Sequence, residues 1–332
     1  MSFRPTIADV AREAGVSRQT VSRALNNKGE ISVETLRRVR EVIERLDYRP
    51  SSIARGLATR RTLTIGLVVP DIANPFFADI SRGADDAAHE AGYSLLLCNT
   101  VEDSRREAAS LRLLEQRGVD GVVLCSSRLP EDELADLVNH HAAAVLVNRK
   151  LACYSSVCVD DAWGAGVMVR HLLDSGRRTI GCLAGPPISY SGKERARGFA
   201  EAMAATGRQS APALTVRCPS LDPEGGRSAA AALLAERPDV DAIVCHNDLV
   251  ALGALHACAE LGRRVPQDVA VAGADDIMLA ALVTPSLTTM RIDRMAIGTI
   301  ALQMMLDQLD EGMEGCTTQV LRPELVVRES AP

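Results

Sequence analysis

Five polar runs beyond residue 62 carry the side chains best suited to chemistry: Asp71–Phe77, Val147–Arg149, Glu194–Phe199, His246–Asp248 and Gly273–Asp276. Each follows a short apolar stretch. Together they offer Asp, Asn and Arg groups, which present paired hydrogen-bonding atoms in one plane, and two adjacent phenyl rings, Phe76 and Phe77. Planar bidentate partners plus a flat apolar wall are what a polyol needs to be held in one orientation. None of the runs has the form of a phosphate-binding glycine loop or a serine elbow, and the His140–His141 pair has no partners at ligand spacing. These residues therefore point to binding without catalysis, with no metal and no cofactor. Within them Arg195 and Asp275 have a second reading, as a structural ion pair. Asp248 suits the cap of the helix that starts at Leu249, and Arg149 is open to either role. For Phe76 and Phe77 the alternative is plain core, which is the expectation for one of the two.

The elements that must position these runs alternate in kind. Apolar, β-branched stretches at Leu63–Pro70, Ser94–Cys98, Gly121–Leu124, Ala144–Val147, Thr179–Leu183, Ala242–Cys245 and Val269–Gly273 read as strands. Helical periodicity occupies 75–91, 104–117, 161–175, 191–206, 224–235, 248–261 and 293–311. Such alternation implies parallel sheets covered on both faces, with ligand loops at the carboxyl ends of the strands. Trp163, the single tryptophan, follows Val159–Asp161 and is expected to pack between two lobes, with a place against the ligand as the alternative.

A different chemistry sits at the start of the chain. Residues 1–61 hold 13 Lys+Arg against 7 Asp+Glu, whereas the remainder holds 24 against 36. A basic head on an acidic body is the asymmetry of a protein whose head alone meets nucleic acid. Thr6 with Asp9 three positions on forms a capping box for a first helix, whose apolar face is Ile7, Val10, Ala11 and Ala14. Gly15 ends it and Ser17 caps a second helix, with Val21, Ala24 and Leu25 inward and Arg18, Gln19, Ser22, Arg23 and Asn26 outward. Ser32 caps a third, with Val33, Leu36, Val39, Ile43 and Leu46 at core spacing. Two short helices about a glycine turn make a helix-turn-helix, and outward Arg and Gln suit the edges of guanine and adenine in a major groove. On architecture alone, a generic three-helix bundle with a charged face competes with this reading.

The stretches Thr6–Asn26 and Tyr48–Leu57 closely resemble the headpiece of the lac repressor / galactose repressor (LacI/GalR) family, and the order of the five polar runs resembles its sugar-binding core. The resemblance spans essentially the whole chain. It implies an N-terminal all-α helix-turn-helix headpiece plus an α/β periplasmic-binding-protein-like core of two doubly wound parallel-sheet lobes. The domains it implies are a headpiece over 1–49, a hinge over 50–61 and a core over 62–332. The core's N-lobe covers about 62–161 plus 292–322, and its C-lobe about 162–291 plus 323–332. It implies a regulator, a repressor in the first instance, that binds a palindromic operator in double-stranded DNA as a homodimer under control of a sugar-like effector. DNA contacts are expected from Thr6, Ser17, Arg18, Gln19, Thr20, Ser22, Arg23 and Asn26. Ala54 and Leu57 are expected to lie on a hinge helix that forms on DNA, with Leu57 as a minor-groove wedge. Pro50 suits a first helical turn, while Gly56 and the shortness of the segment disfavour a helix in isolation. Effector contacts are expected from Phe76, Phe77, Asn148, Arg195, Asn247 and Asp275, with Ser191 at the mouth.

Two positions depart from the family's purine-binding members: Leu221 stands in place of a stacking aromatic and Ser189 in place of an arginine. Sugars, sugar acids and sugar phosphates are therefore the expected effectors, and a regulator with a purine-like or other non-sugar effector, or a solute-binding receptor of a transport system, is the alternative. No leucine heptad follows the core, so a dimer without the family's tetramer-forming tail is expected. The N-terminus lacks the apolar core of a signal peptide and no run is long enough to span a bilayer, so the expected location is cytoplasmic, away from membranes. The nine scattered cysteines are expected to be free, mostly buried thiols.

Overall fold

A computed structural model describes residues 5–25, 31–48, 61–206, 214–311 and 315–332. The chain divides into two compact units, Met1–Thr62 and Leu63–Pro332.

The first unit is helical. Helices α1 (Ile7–Ala14), α2 (Arg18–Leu25) and α3 (Val33–Arg45) enclose a small core of Val10, Ala11, Ala14, Val21, Ala24, Val39, Val42 and Tyr48. Each start is fixed by a side chain. The Asp9 carboxylate accepts from the Thr6 backbone N–H (2.9 Å) and hydroxyl (2.7 Å). Ser17 Oγ accepts from Thr20 N–H at 3.0 Å, and Ser32 Oγ from Thr35 N–H at 3.2 Å. Gly15 closes α1 at φ +62°, a left-handed conformation that costs other residues energy. Val33 is a correction to the expected third-helix face. It is 85% exposed at the first position of α3, where no neighbouring helix covers it.

The second unit contains two parallel sheets. Strands β1 (Thr64–Val69), β2 (Ser94–Asn99), β3 (Gly121–Cys125), β4 (Ala144–Val147), β5 (Ser155–Val159) and β11 (Thr318–Leu321) form a six-stranded sheet in the order β11-β5-β4-β3-β1-β2. Strands β6 (Ile180–Ala184), β7 (Thr215–Arg217), β8 (Ala242–Cys245) and β9 (Ala270–Ala272) form a second in the order β7-β6-β8-β9. Every pairing within these sheets is parallel. A short antiparallel pair joins β10 (Thr289–Arg291) to β12 (Glu324–Val326).

Helices cover both faces of each sheet. On the first, α4 (Pro75–Glu90) and α11 (Arg294–Glu311) bury one side, with α5 (Ser104–Arg117) and α6 (Glu131–Val138) on the other. On the second, α7 (Asp161–Asp174) and α8 (Tyr190–Ala205) lie opposite α9 (Pro223–Glu236) and α10 (Asp248–Glu260). The central strands are apolar on both faces because both faces are covered: β3, β4 and β5 are buried throughout. The chain passes between the two sheets at Val159–Asp161, Arg291–Arg294 and Leu321–Glu324, so three segments connect the lobes. All nine cysteines are free; Cys153 and Cys316 are exposed, Cys98 is half-buried and the rest are buried.

Candidate functional site

The carboxyl ends of the strands of both sheets converge on a cleft of about 370 Å³, its opening included. Phe76, Phe77, Asn148, Ser191, Arg195, Asn247 and Asp275 all line it. Phe76 and Phe77 enter on the first turn of α4, which is set by Pro75 and by Asn74, whose Oδ1 accepts from Phe76 N–H at 3.0 Å. Their rings meet edge to face, with centroids 5.1 Å apart. Both serve core and wall at once, so the choice between those roles for one of them was a false one.

Asn148 follows β4 at φ +48°, and its Oδ1 accepts from Val159 N–H at 3.0 Å. What it can offer a ligand is therefore its Nδ2 donor. Asn247 caps α10: its Oδ1 accepts from Val250 N–H at 2.9 Å, and its Nδ2 reaches the Leu221 carbonyl only at 3.5 Å, a contact weak enough for a ligand to replace. This corrects the cap assignment. Asp248 is the first residue inside α10, and its carboxylate accepts instead from Ile277 N–H (2.8 Å) and the Thr289 hydroxyl (2.5 Å).

Arg195, on α8, is the electrostatic centre. Its Nε donates to Asp161 at 2.7 Å, Nη2 to Asp275 at 3.1 Å, and Nη1 to the His246 carbonyl. The helix can stand that close because Gly198, one turn on, lets the Ala162 carbonyl of α7 approach to where a Cβ would be 2.1 Å away. The structural ion pair is thus also part of the cleft wall. Burial pushes the Asp275 carboxyl up to about 6 against the pull of Arg195, and burial raises Asp161 against the same cation. Burial, then the charges of Arg195 and Arg128, push His246 well below its ordinary range, so its ring is neutral.

Sequence reasoning missed a second polar group. Glu102, Ser126 and Arg128 also line the cleft, beside His246 of the fourth polar run. Arg128 Nε donates to Glu102 at 2.5 Å, and beneath them buried Glu107 accepts from the Ser127 hydroxyl and from Arg128 N–H at 2.8 Å. The Ser126–Arg128 run directly follows β3, so the strand-end rule that found the other loops also covered this one.

Residues near the cleft have other tasks. Ser189 is buried and caps α8, accepting from Gly192 N–H at 3.0 Å, while Leu221 lines the cleft. Arg149 donates to the Leu129 carbonyl (3.0 Å) and toward that of Ile188 (3.4 Å), a link between the lobes. Asp276 is held by Arg291 and Arg328, each at 2.6 Å. Trp163 departs from expectation. It is 37% exposed on α7 with the Arg322 guanidinium 5.7 Å from its ring centre, because Gly164 and Ala165, not the indole, face the interior.

In the helical unit, Arg18, Gln19 and Arg23 are exposed on α2, with Ser22 half-buried beside them and Thr6, Ser17 and Thr20 at the helix starts. Asn26, Ala54, Leu57 and the 50–60 part of the hinge lie outside the described residues. No group of His, Cys, Asp and Glu that could hold a metal occurs among the described residues, and no helix there is long and apolar enough to cross a membrane.

Comparison with known proteins matches residues 62–322 to the family described as periplasmic binding proteins and sugar binding domain of LacI family. Residues 6–51 match bacterial regulatory proteins, lacI family. A ribose operon repressor of Halalkalibacterium halodurans is 35% identical over 326 residues, covering 98% of this chain and 96% of that one. An HTH-type transcriptional repressor PurR of Edwardsiella ictaluri is 33% identical over 329 residues, with the same coverage. Among solved structures, the lac repressor dimer bound to operator and the anti-inducer ONPF aligns with a TM-score of 0.89 at 26% identity, over 99% of both chains.

Proposed function

Since the chain belongs to the lacI family of bacterial regulatory proteins, we propose that it represses transcription by binding a palindromic operator as a homodimer, under control of a neutral sugar bound in the inter-lobe cleft. It is a DNA-binding regulator by family, and the effector is the open question. The observation that carries the sugar reading is the pairing of both cleft arginines. Arg195 is engaged by Asp161 and Asp275, and Arg128 by Glu102. A sugar phosphate or sugar acid needs a free cation, whereas a neutral polyol can use Asp275, Asn148 and Asn247 as they stand, against the phenyl wall. Leu221 on the cleft wall offers a purine no aromatic face at that position, so a ring would have only the Phe76 and Phe77 side to pack on. Support for a second copy comes from the edge strand β2, which exposes Leu96 and Leu97.

Control is a two-state matter: a sugar changes operator affinity only by its preference for one lobe arrangement. Thermal shift of the full chain against neutral sugars, sugar acids, sugar phosphates and purines tests the effector class. A true effector at 100 times its Kd adds ~2.7 kcal/mol of stability. A hit confined to phosphates or purines overturns the neutral-sugar reading. Selection of bound sequences from random duplex DNA tests the other half, and a pool without palindromic symmetry overturns the dimeric operator.

A further inference from the structure

Of the nine cysteines only Cys153 and Cys316 are exposed; six are buried and Cys98 is half-buried. Far apart in sequence, the two exposed thiols meet at the open edge of the six-stranded sheet, where β11 pairs with β5. Thr318 lies opposite Ser156 there, and the contact continues before the strands begin. Ser156 N–H donates to the Thr317 carbonyl at 2.8 Å, and Thr317 N–H donates to Ser155 Oγ at 3.3 Å. Cys316 directly precedes Thr317. Cys153 stands two residues before Ser155, at φ +65° in a turn closed by Tyr154 N–H on the Leu151 carbonyl at 3.3 Å. Because the two strands run the same way, Cys316 falls beside Tyr154, one residue from Cys153. With strands ~4.8 Å apart and ~3.3 Å per residue, the two α-carbons lie about 6 Å apart. A disulfide spans roughly 4.4–6.8 Å between α-carbons.

The electrostatics agree with this placement. Burial, then the neighbouring Cys153, raises the Cys316 thiol above its ordinary value. Burial, then both thiols, raises the Tyr154 hydroxyl that lies between them. Thiols held together by the fold react with each other as an intramolecular pair, which favours ring closure over two separate modifications. The pair sits at the amino end of the strands, opposite the cleft, and neither residue lines that cleft.

We propose that Cys153 and Cys316 form a redox-responsive dithiol site, closed to an intrachain disulfide by low-molecular-weight disulfides. One thiolate attacks a sulfur of the reagent RSSR, forming a mixed disulfide and expelling RS⁻. The second thiolate attacks the protein-side sulfur and expels another RS⁻. The two thiol protons pass to the departing thiolates. Two Cys–SH and one RSSR thus give one Cys–S–S–Cys and two RSH, with two electrons moving from the cysteines to the reagent. The bond ties edge strand β11 to the turn before β5, and it stands whether or not the cleft holds a sugar.

The test equilibrates the full-length protein with mixtures of reduced and oxidised glutathione, then traps free thiols and maps the peptides by mass spectrometry. A single cross-link between Cys153 and Cys316 is expected, with the other seven cysteines free and no glutathione retained. Cys316→Ser is expected to stop at a glutathione adduct on Cys153. The cross-link is expected to raise the thermal midpoint of the core by about 5 °C, reversed by dithiothreitol. Glutathione on both residues without a cross-link, or cross-links chiefly between chains or to other cysteines, overturns the site. A cross-linked chain with a lowered midpoint overturns the claim that the fold holds the two thiols together. Should the variant not fold, the wild-type map still decides.

Discussion

The two units place their working residues in opposite ways. In the helical unit the groups expected to meet DNA lie within one short stretch of sequence, Arg18, Gln19 and Arg23 on one exposed face of α2, over a core too small to bury a charge. In the core the working residues come from loops spread over about two hundred positions, and Asp161, Asp275 and His246 are buried around a part-buried Arg195. Exposure makes the first set additive and dispensable for folding. Burial makes the second set a part of the fold, because charges taken out of water must be paired to be tolerated.

The largest effect expected from this contrast is at Arg195. Arg195→Ala leaves Asp161 and Asp275 buried without their cation, at a cost of about 3–5 kcal/mol. It is read as a lowered urea midpoint of the core transition together with lost sugar binding. Arg195→Lys is expected to recover little, because a point charge cannot serve three acceptors in one plane. A core stability unchanged by Arg195→Ala would break the comparison.

In the helical unit, Arg23→Ala is expected to weaken selected-operator binding by about ten- to a hundred-fold, with the thermal midpoint of the core unchanged. A fall in that midpoint shows that the two units do not unfold independently.

Acidity separates them next. Burial, with Asp275 nearby, pushes Asp248 up to about 8, and burial pushes Asp275 to about 6. Both folded-state values lie above the unfolded value of about 3.9, so folding favours the neutral acids. Their contribution to stability is therefore complete below about pH 4 and is lost as pH rises through about 6 for Asp275 and about 8 for Asp248. Asp248→Asn is expected to flatten the upper part of this decline in a series of urea titrations from pH 5 to 9. A slope identical to wild type contradicts the assignment.

The smallest effect is at a helix start: Ser17→Ala removes the bond to Thr20 N–H and is expected to cost the helical unit ~1 kcal/mol. Circular dichroism of the headpiece transition measures it, with the core transition as internal control.

Much of this molecule was legible in its residues. The apolar runs that became β1 to β4, β6, β8 and β9 and the helical periodicities between them stand within a residue or two of where they were expected. The strands that escaped notice, β5, β7, β10, β11 and β12, are short or polar. Ser155-Ser156 opens β5, and β11 begins Thr318-Gln319. Such segments become strands because a neighbour offers its edge, a condition that local pattern does not contain. Helix α6 (Glu131–Val138) was missed for a similar reason, since eight residues hold little more than two turns of periodicity.

The sequence by itself determined the capped helix starts of the headpiece, the parallel character of the sheets and the chemical inventory at the strand ends. These follow from side-chain spacing and backbone propensity, which act over a few residues. Only the tertiary structure decided that Asn247 and not Asp248 caps α10, that Arg128 with Glu102 belongs to the cleft, and that Asp161 shares Arg195 with Asp275 and keeps one oxygen without a partner. Those outcomes depend on which groups from distant loops lose their water together, and desolvation belongs to the packed whole.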